Sequence, residues 1–159
     1  MQKPFRMILL LIYGCGIMVM PLRAADRITG TWKLDVGSSK FVGSPPKEHL
    51  ETYSELATGD IQMVLSRTQK EGAPTTTRLT WPAHGGVVHD PESALPKGET
   101  VIETLLGPGD WLAIFLNDGK QVATMHKVIS QDGKAMVQTI ESVDSHGLPV
   151  EQVQVFHRQ

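Results

Sequence analysis

From residue 100 to residue 157 one pattern repeats: short stretches of alternating apolar and polar residues, at 100–106, 111–117, 121–129, 135–143 and 150–157, separated by brief turns. The turns read Gly107-Pro108-Gly109-Asp110, Asn117-Asp118-Gly119-Lys120, Gln131-Asp132-Gly133-Lys134 and Asp144-Ser145-His146-Gly147. A period of two places alternate side chains on opposite faces of a strand. The Asp-Gly pairs supply the positive φ angles that tight hairpins need. Hairpins in series lay each strand beside the last, and the resulting sheet keeps two open edges unless it curls and closes.

The first half carries the same signal with more interruptions. Strands are expected at 28–36, 49–57, 61–70 and 75–81, with a short edge strand at Val87-Val88. Residues 37–47 hold Gly37, Gly43, Pro45 and Pro46 and are too rich in breakers for a strand, with room for one helical turn at 38–41. Residues 89–98, with Pro91 and Pro96, read as a long loop. The expected fold class is all-β: a single antiparallel up-and-down β-barrel of eight to ten strands, which can enclose a ligand. A two-sheet sandwich is the competing architecture, but it calls for longer crossovers than these turns provide.

Lys3 and Arg6 precede an apolar run over 7–20, and Pro21-Leu22-Arg23-Ala24-Ala25 follows it. A basic start, an apolar middle and small residues at the end describe a signal peptide over 1–25, which leaves a barrel domain over 26–159. The run is shorter than the ~20 apolar residues a spanning helix needs, so no stable membrane insertion is expected after cleavage. The expected location is secreted or periplasmic. Cys15, the one cysteine, falls in the leader, so the mature domain has no disulfide to rely on. Removing Lys3, Arg6 and Arg23 leaves 12 basic against 17 acidic residues, a net charge of −5. That balance disfavours nucleic acid, whose attraction for proteins is mainly electrostatic.

Gly30-Thr31-Trp32 on the first strand resembles the Gly-x-Trp signature of lipocalins. Extended through Lys33-Leu34-Asp35-Val36 and Ser39-Lys40-Phe41, it also resembles a group of uncharacterised secreted bacterial lipocalin-like proteins. The resemblance implies a calycin-type barrel whose tryptophan packs across the closed base, with Arg158 in the place of the basic residue that covers it. The usual lipocalin disulfide and C-terminal helix have no counterpart in this sequence.

On the third strand Ile61, Met63, Leu65 and Arg67 share one face; if that face points inward, Arg67 enters the lumen at the end of an apolar row, and if not, it sits on the solvent face or at the rim. An arginine there suits the carboxylate or phenolate of an otherwise hydrophobic ligand. Arg78, on the next strand, is a second candidate. Tyr53, Trp81, Trp111 and Phe115 are candidate wall residues, and His126 is a candidate interior proton carrier if a carboxylate such as Glu103 or Glu141 lies opposite. The sequence has no Gly-x-Ser-x-Gly elbow and no phosphate-binding glycine loop. His84, His89 and Asp90 do not follow a metal-binding spacing, and neither a metal nor a cofactor is expected. The reading is a secreted or periplasmic protein that binds a small hydrophobic molecule in a barrel lumen. The alternative is a small-molecule enzyme, a cyclase or isomerase, using His126, Glu103 or Tyr53 in the same cavity.

Overall fold

The computed structural model describes residues 27–159, so the leader over 1–25 lies outside the described residues. Ten antiparallel strands follow in order: β1 (Gly30–Lys40), β2 (Glu48–Glu55), β3 (Asp60–Thr68), β4 (Thr75–Pro82), β5 (Gly85–Val87), β6 (Glu99–Gly107), β7 (Asp110–Asn117), β8 (Lys120–Ile129), β9 (Ala135–Val143) and β10 (Pro149–Arg158). All named elements among the described residues are strands.

Their order in the sheet is β4-β3-β2-β1-β10-β9-β8-β7-β6-β5. Every neighbour except the β1–β10 pair is a sequence neighbour, as hairpin turns dictate. The two ends of this ribbon meet through one bridge between β4 and the segment just after β5, in which Thr80 N donates to His89 O at 3.0 Å and His89 N donates to Thr80 O at 2.7 Å. The result is an up-and-down barrel with a single thin seam, and the sandwich is excluded.

The expected break at 37–47 begins later than its composition suggests. β1 runs on to Lys40 through a shift in register between Asp35 and Lys40. Asp35 makes this possible: its Oδ1 accepts from the Gly37 and Ser38 amides at 2.9 and 3.3 Å, and its Oδ2 from Ser38 Oγ at 2.7 Å. Ser39 Oγ then donates to Asp35 O at 2.6 Å and accepts from Val155 N at 2.9 Å. Side chains replace the missing ladder bonds, so a bulge forms where a helical turn was expected.

The base of the barrel is solid. Ile28, Trp32, Trp111, Met136 and Phe156 are fully buried there, with Ile61 and Ile129 nearly so. Trp32 donates its indole N–H to Ile28 O at 2.8 Å. Arg158 lies 4.2 Å over the Trp32 ring. Its guanidinium donates to Arg27 O, Thr29 O and Gly133 O, tying the chain before β1 and the β8–β9 turn to the end of β10. The Gly-x-Trp spacing follows from this contact. Gly30 has φ +129°, and a Cβ there would collide with the Arg158 guanidinium.

Candidate functional site

Above the base, inward positions change character in one step along each strand. On β6, β8, β9 and β10 the inward residue after Leu105, Ile129, Met136 and Phe156 is Glu103, Lys127, Gln138 and Gln154. All four of these polar residues are buried. On β7 that level is occupied by Ala113, which makes room for the longer side chains around it. β2 contributes His49, Glu51 and Tyr53, also buried and also facing inward. A polar layer therefore covers the apolar base.

This layer is internally bonded. Glu51 accepts at Oε2 from Tyr53 OH at 2.6 Å and from Gln138 Nε2 at 2.7 Å, and pairs at Oε1 with His49 Nε2 at 3.0 Å. Burial pushes the Glu51 carboxyl up, but the bond and charge of His49, the Tyr53 hydroxyl and the charge of Lys127 outweigh it, leaving it below the usual carboxylate range. The Tyr53 hydroxyl is pushed well above its ordinary value by burial, by the Glu51 charge and bond, and by Glu103. It remains a donor at neutral pH. Lys127 Nζ donates to Glu103 Oε1 at 2.5 Å and sits 5.4 Å from the Trp81 ring centroid and 6.0 Å from that of Tyr53.

Over this floor lies a cavity of about 340 Å³. Its walls include Met63, Leu65, Leu79, Val101, Phe115 and Met125, and the loop after β5 contributes Ala94 and Leu95. That loop is folded on itself: Asp90 Oδ2 accepts from Leu95 N at 2.7 Å. Buried polar atoms with no hydrogen-bond partner include His49 Nδ1, Arg67 Nε, Trp81 Nε1 and Glu103 Oε2, all on residues that line the cavity. Native interiors leave few such groups unmet, and each loses its hydration without return.

Of the residues expected to line a lumen, Arg67, Tyr53, Trp81 and Phe115 surround this cavity. Trp111 is buried in the base beneath it, where it meets Trp81 edge to face at 6.3 Å. Arg78 and His126 are corrections. Leu79 and Trp81 take the inward positions of β4, which turns Arg78 outward to bond Glu92 Oε1 at 2.6 Å and hold the 90–98 loop from outside. On β8 Met125, Lys127 and Ile129 point inward, so His126 faces out and pairs with Asp110 at 2.6 Å. Glu103 lies inside and Glu141 outside. Among the described residues no group of three or more His, Cys, Asp or Glu converges as a metal site.

The sequence reading missed His49, Glu51, Lys127, Gln138 and Gln154 as cavity-facing groups. Their signal was parity. His49 and Glu51 share a face with Tyr53, and Lys127 shares one with Met125 and Ile129.

A ten-stranded meander closed on itself, with a tryptophan plug and an arginine clamp at one end, is an up-and-down β-barrel of lipocalin-like fold. No protein-family model matches the chain, and no curated protein does. Among solved structures, the wild-type fluorescent protein UnaG superposes with a TM-score of 0.57 at 18% identity, covering 82% of this chain and 96% of that one. A single-site mutant of UnaG gives a TM-score of 0.59 at 18% identity, covering 84% and 96%. The likeness is one of fold.

Proposed function

We propose that this protein is a binding protein that holds one small amphipathic molecule in its barrel, apolar body against the Met63–Leu65–Phe115 wall and anionic head on Arg67. The observation that carries this reading is the interior cavity of about 340 Å³ with an arginine at one end. Buried Nε of Arg67 has no hydrogen-bond partner, and among the described residues no carboxylate pairs with the guanidinium. The volume falls in the range of small-molecule sites, ~300–1,000 Å³. A cation held in an apolar setting without a counter-ion favours an anion that brings its own apolar body.

Two observations favour binding over the isomerase or cyclase alternative. His126 is outside the barrel, and Tyr53 and Glu103 are already bonded to Glu51 and Lys127 rather than to each other. The test is calorimetric titration of the protein with dodecanoate, alongside native mass spectrometry for any molecule that copurifies. Dodecanoate is expected to bind at one site per chain. Arg67→Met is expected to weaken it by about tenfold to a hundredfold, the worth of a charge-assisted hydrogen bond, with unfolding unchanged. Equal affinity in the variant removes Arg67 from the site, and no uptake of any amphiphile removes the reading.

We propose also that the chain works outside the cytoplasm after losing residues 1–25. The basic–apolar–small arrangement of those residues supports this. Expressed in a bacterium, the exported protein should begin at residue 25 or 26 by N-terminal sequencing. Intact Met1 on protein confined to the cytosol overturns export.

A further inference from the structure

Arg67 accounts for one unmet atom at the head of the cavity, but two more lie at its floor. Trp81 Nε1, a donor, and Glu103 Oε2, an acceptor, are both buried without partners, on residues only 2% and 5% exposed. They belong to one cluster. Lys127 Nζ bonds the other oxygen of Glu103 at 2.5 Å and sits 5.4 Å from the Trp81 ring centroid. Both residues line the same cavity as Arg67.

The head and the floor are far apart. Trp81 is the cross-strand partner of Ile61, and Arg67 lies six positions further along the same face of β3. At ~3.3 Å per residue that is about 20 Å of strand, shortened by the reach of the side chains. A ligand whose acid group meets Arg67 therefore directs its other end at the floor. A plain alkyl end would leave both unsatisfied. A hydroxyl is donor and acceptor at once, the complement of this pair.

Building on the binding reading above, we infer that the ligand is polar at both ends: an acid whose far end carries a hydroxyl, seated with the acid on Arg67 and the hydroxyl between Trp81 Nε1 and Glu103 Oε2. His49 is the member of the polar layer nearest the head. It lies directly opposite Arg67 in the β2–β3 ladder, and its Nδ1 is the remaining unmet atom there.

The probes are dodecanoate, ω-hydroxydodecanoate and dodecanol, titrated by calorimetry into the protein and into two variants. ω-Hydroxydodecanoate is expected to bind at least about tenfold more tightly than dodecanoate, because a site built to bond a hydroxyl discriminates strongly against its absence. Trp81→Phe, which removes the indole donor and keeps an aromatic ring, should shrink that preference to within about twofold. Arg67→Met should weaken both acids by the same factor and leave dodecanol unaffected. Circular dichroism of each variant checks that the barrel is intact. Should Trp81→Phe fail to fold, Trp81→His, which restores a ring N–H, should fold and keep the preference. Equal binding of the two acids to the unmodified protein overturns the hydroxyl site while leaving the binding reading standing. Failure of all three probes to bind overturns both.

Discussion

Replacing Trp32 with alanine should cost about 3–5 kcal/mol of folding stability, the range for truncating a fully buried aromatic side chain. Three losses coincide at this position. The ring is fully buried in the base, its N–H bond to Ile28 O at 2.8 Å disappears, and Arg158 loses the surface it covers at 4.2 Å. Without that surface the guanidinium has less reason to stay fixed on Arg27 O, Thr29 O and Gly133 O, the contacts that hold the chain before β1 and the β8–β9 turn to the end of β10. Domains of this size are stable by only ~5–15 kcal/mol, so a loss of this size consumes about a fifth or more of the total. Urea unfolding followed by circular dichroism measures it. Arg158→Lys should cost less, because the charge survives while the planar fork that reaches three carbonyls does not. A Trp32→Ala variant within about 1 kcal/mol of the parent would show that the plug is dispensable, against the expectation for a buried indole.

The barrel itself was legible because its causes are local. Asp118-Gly119 and Asp132-Gly133 set tight turns wherever they stand, and serial hairpins leave little choice of topology. The face of β3 that carries Arg67 was legible too, since Ile61, Met63 and Leu65 share it. β8 was not. Val122 and Val128 lie on one face and Ala123, Met125 and Ile129 on the other, so both faces look apolar and the valines draw His126 to the interior. The structure puts the face containing Lys127 inside, a placement that depends on Glu103 waiting on β6, two strands away in the sheet. β2 hides its site in the same way. His49 and Glu51 score as surface residues until Gln138, eighty-seven residues further along, supplies the amide that Glu51 needs. Alternation reads the apolar layers of a barrel; a buried polar layer inverts the rule, and its evidence lies in pairs of residues distant in sequence.

That inversion has an energetic consequence at Lys127 and Glu103. Their side chains are 3% and 6% exposed and joined at 2.5 Å. Lys127→Met keeps the stem's volume and removes the charge, leaving the Glu103 carboxylate buried beside Trp81 with neither oxygen bonded. Breaking a buried pair from one side typically costs about 3–5 kcal/mol, because the surviving ion keeps its desolvation penalty and loses its partner. Glu103→Leu should be comparably damaging for the same reason in reverse. The double variant removes both charges together, and its stability should return to within about 1–2 kcal/mol of the parent, since replacing a whole buried pair by apolar side chains is often neutral. Denaturant unfolding of all four proteins closes the cycle, with a coupling of several kcal/mol expected between two sites in direct contact. If the single losses simply add in the double variant, the two residues act independently and the close bond between them contributes little. If the double variant is stable but no longer favours ω-hydroxydodecanoate over dodecanoate, the pair is retained for what it presents to the cavity. Its place at the floor, where an apolar pair would serve folding equally well, argues for that outcome.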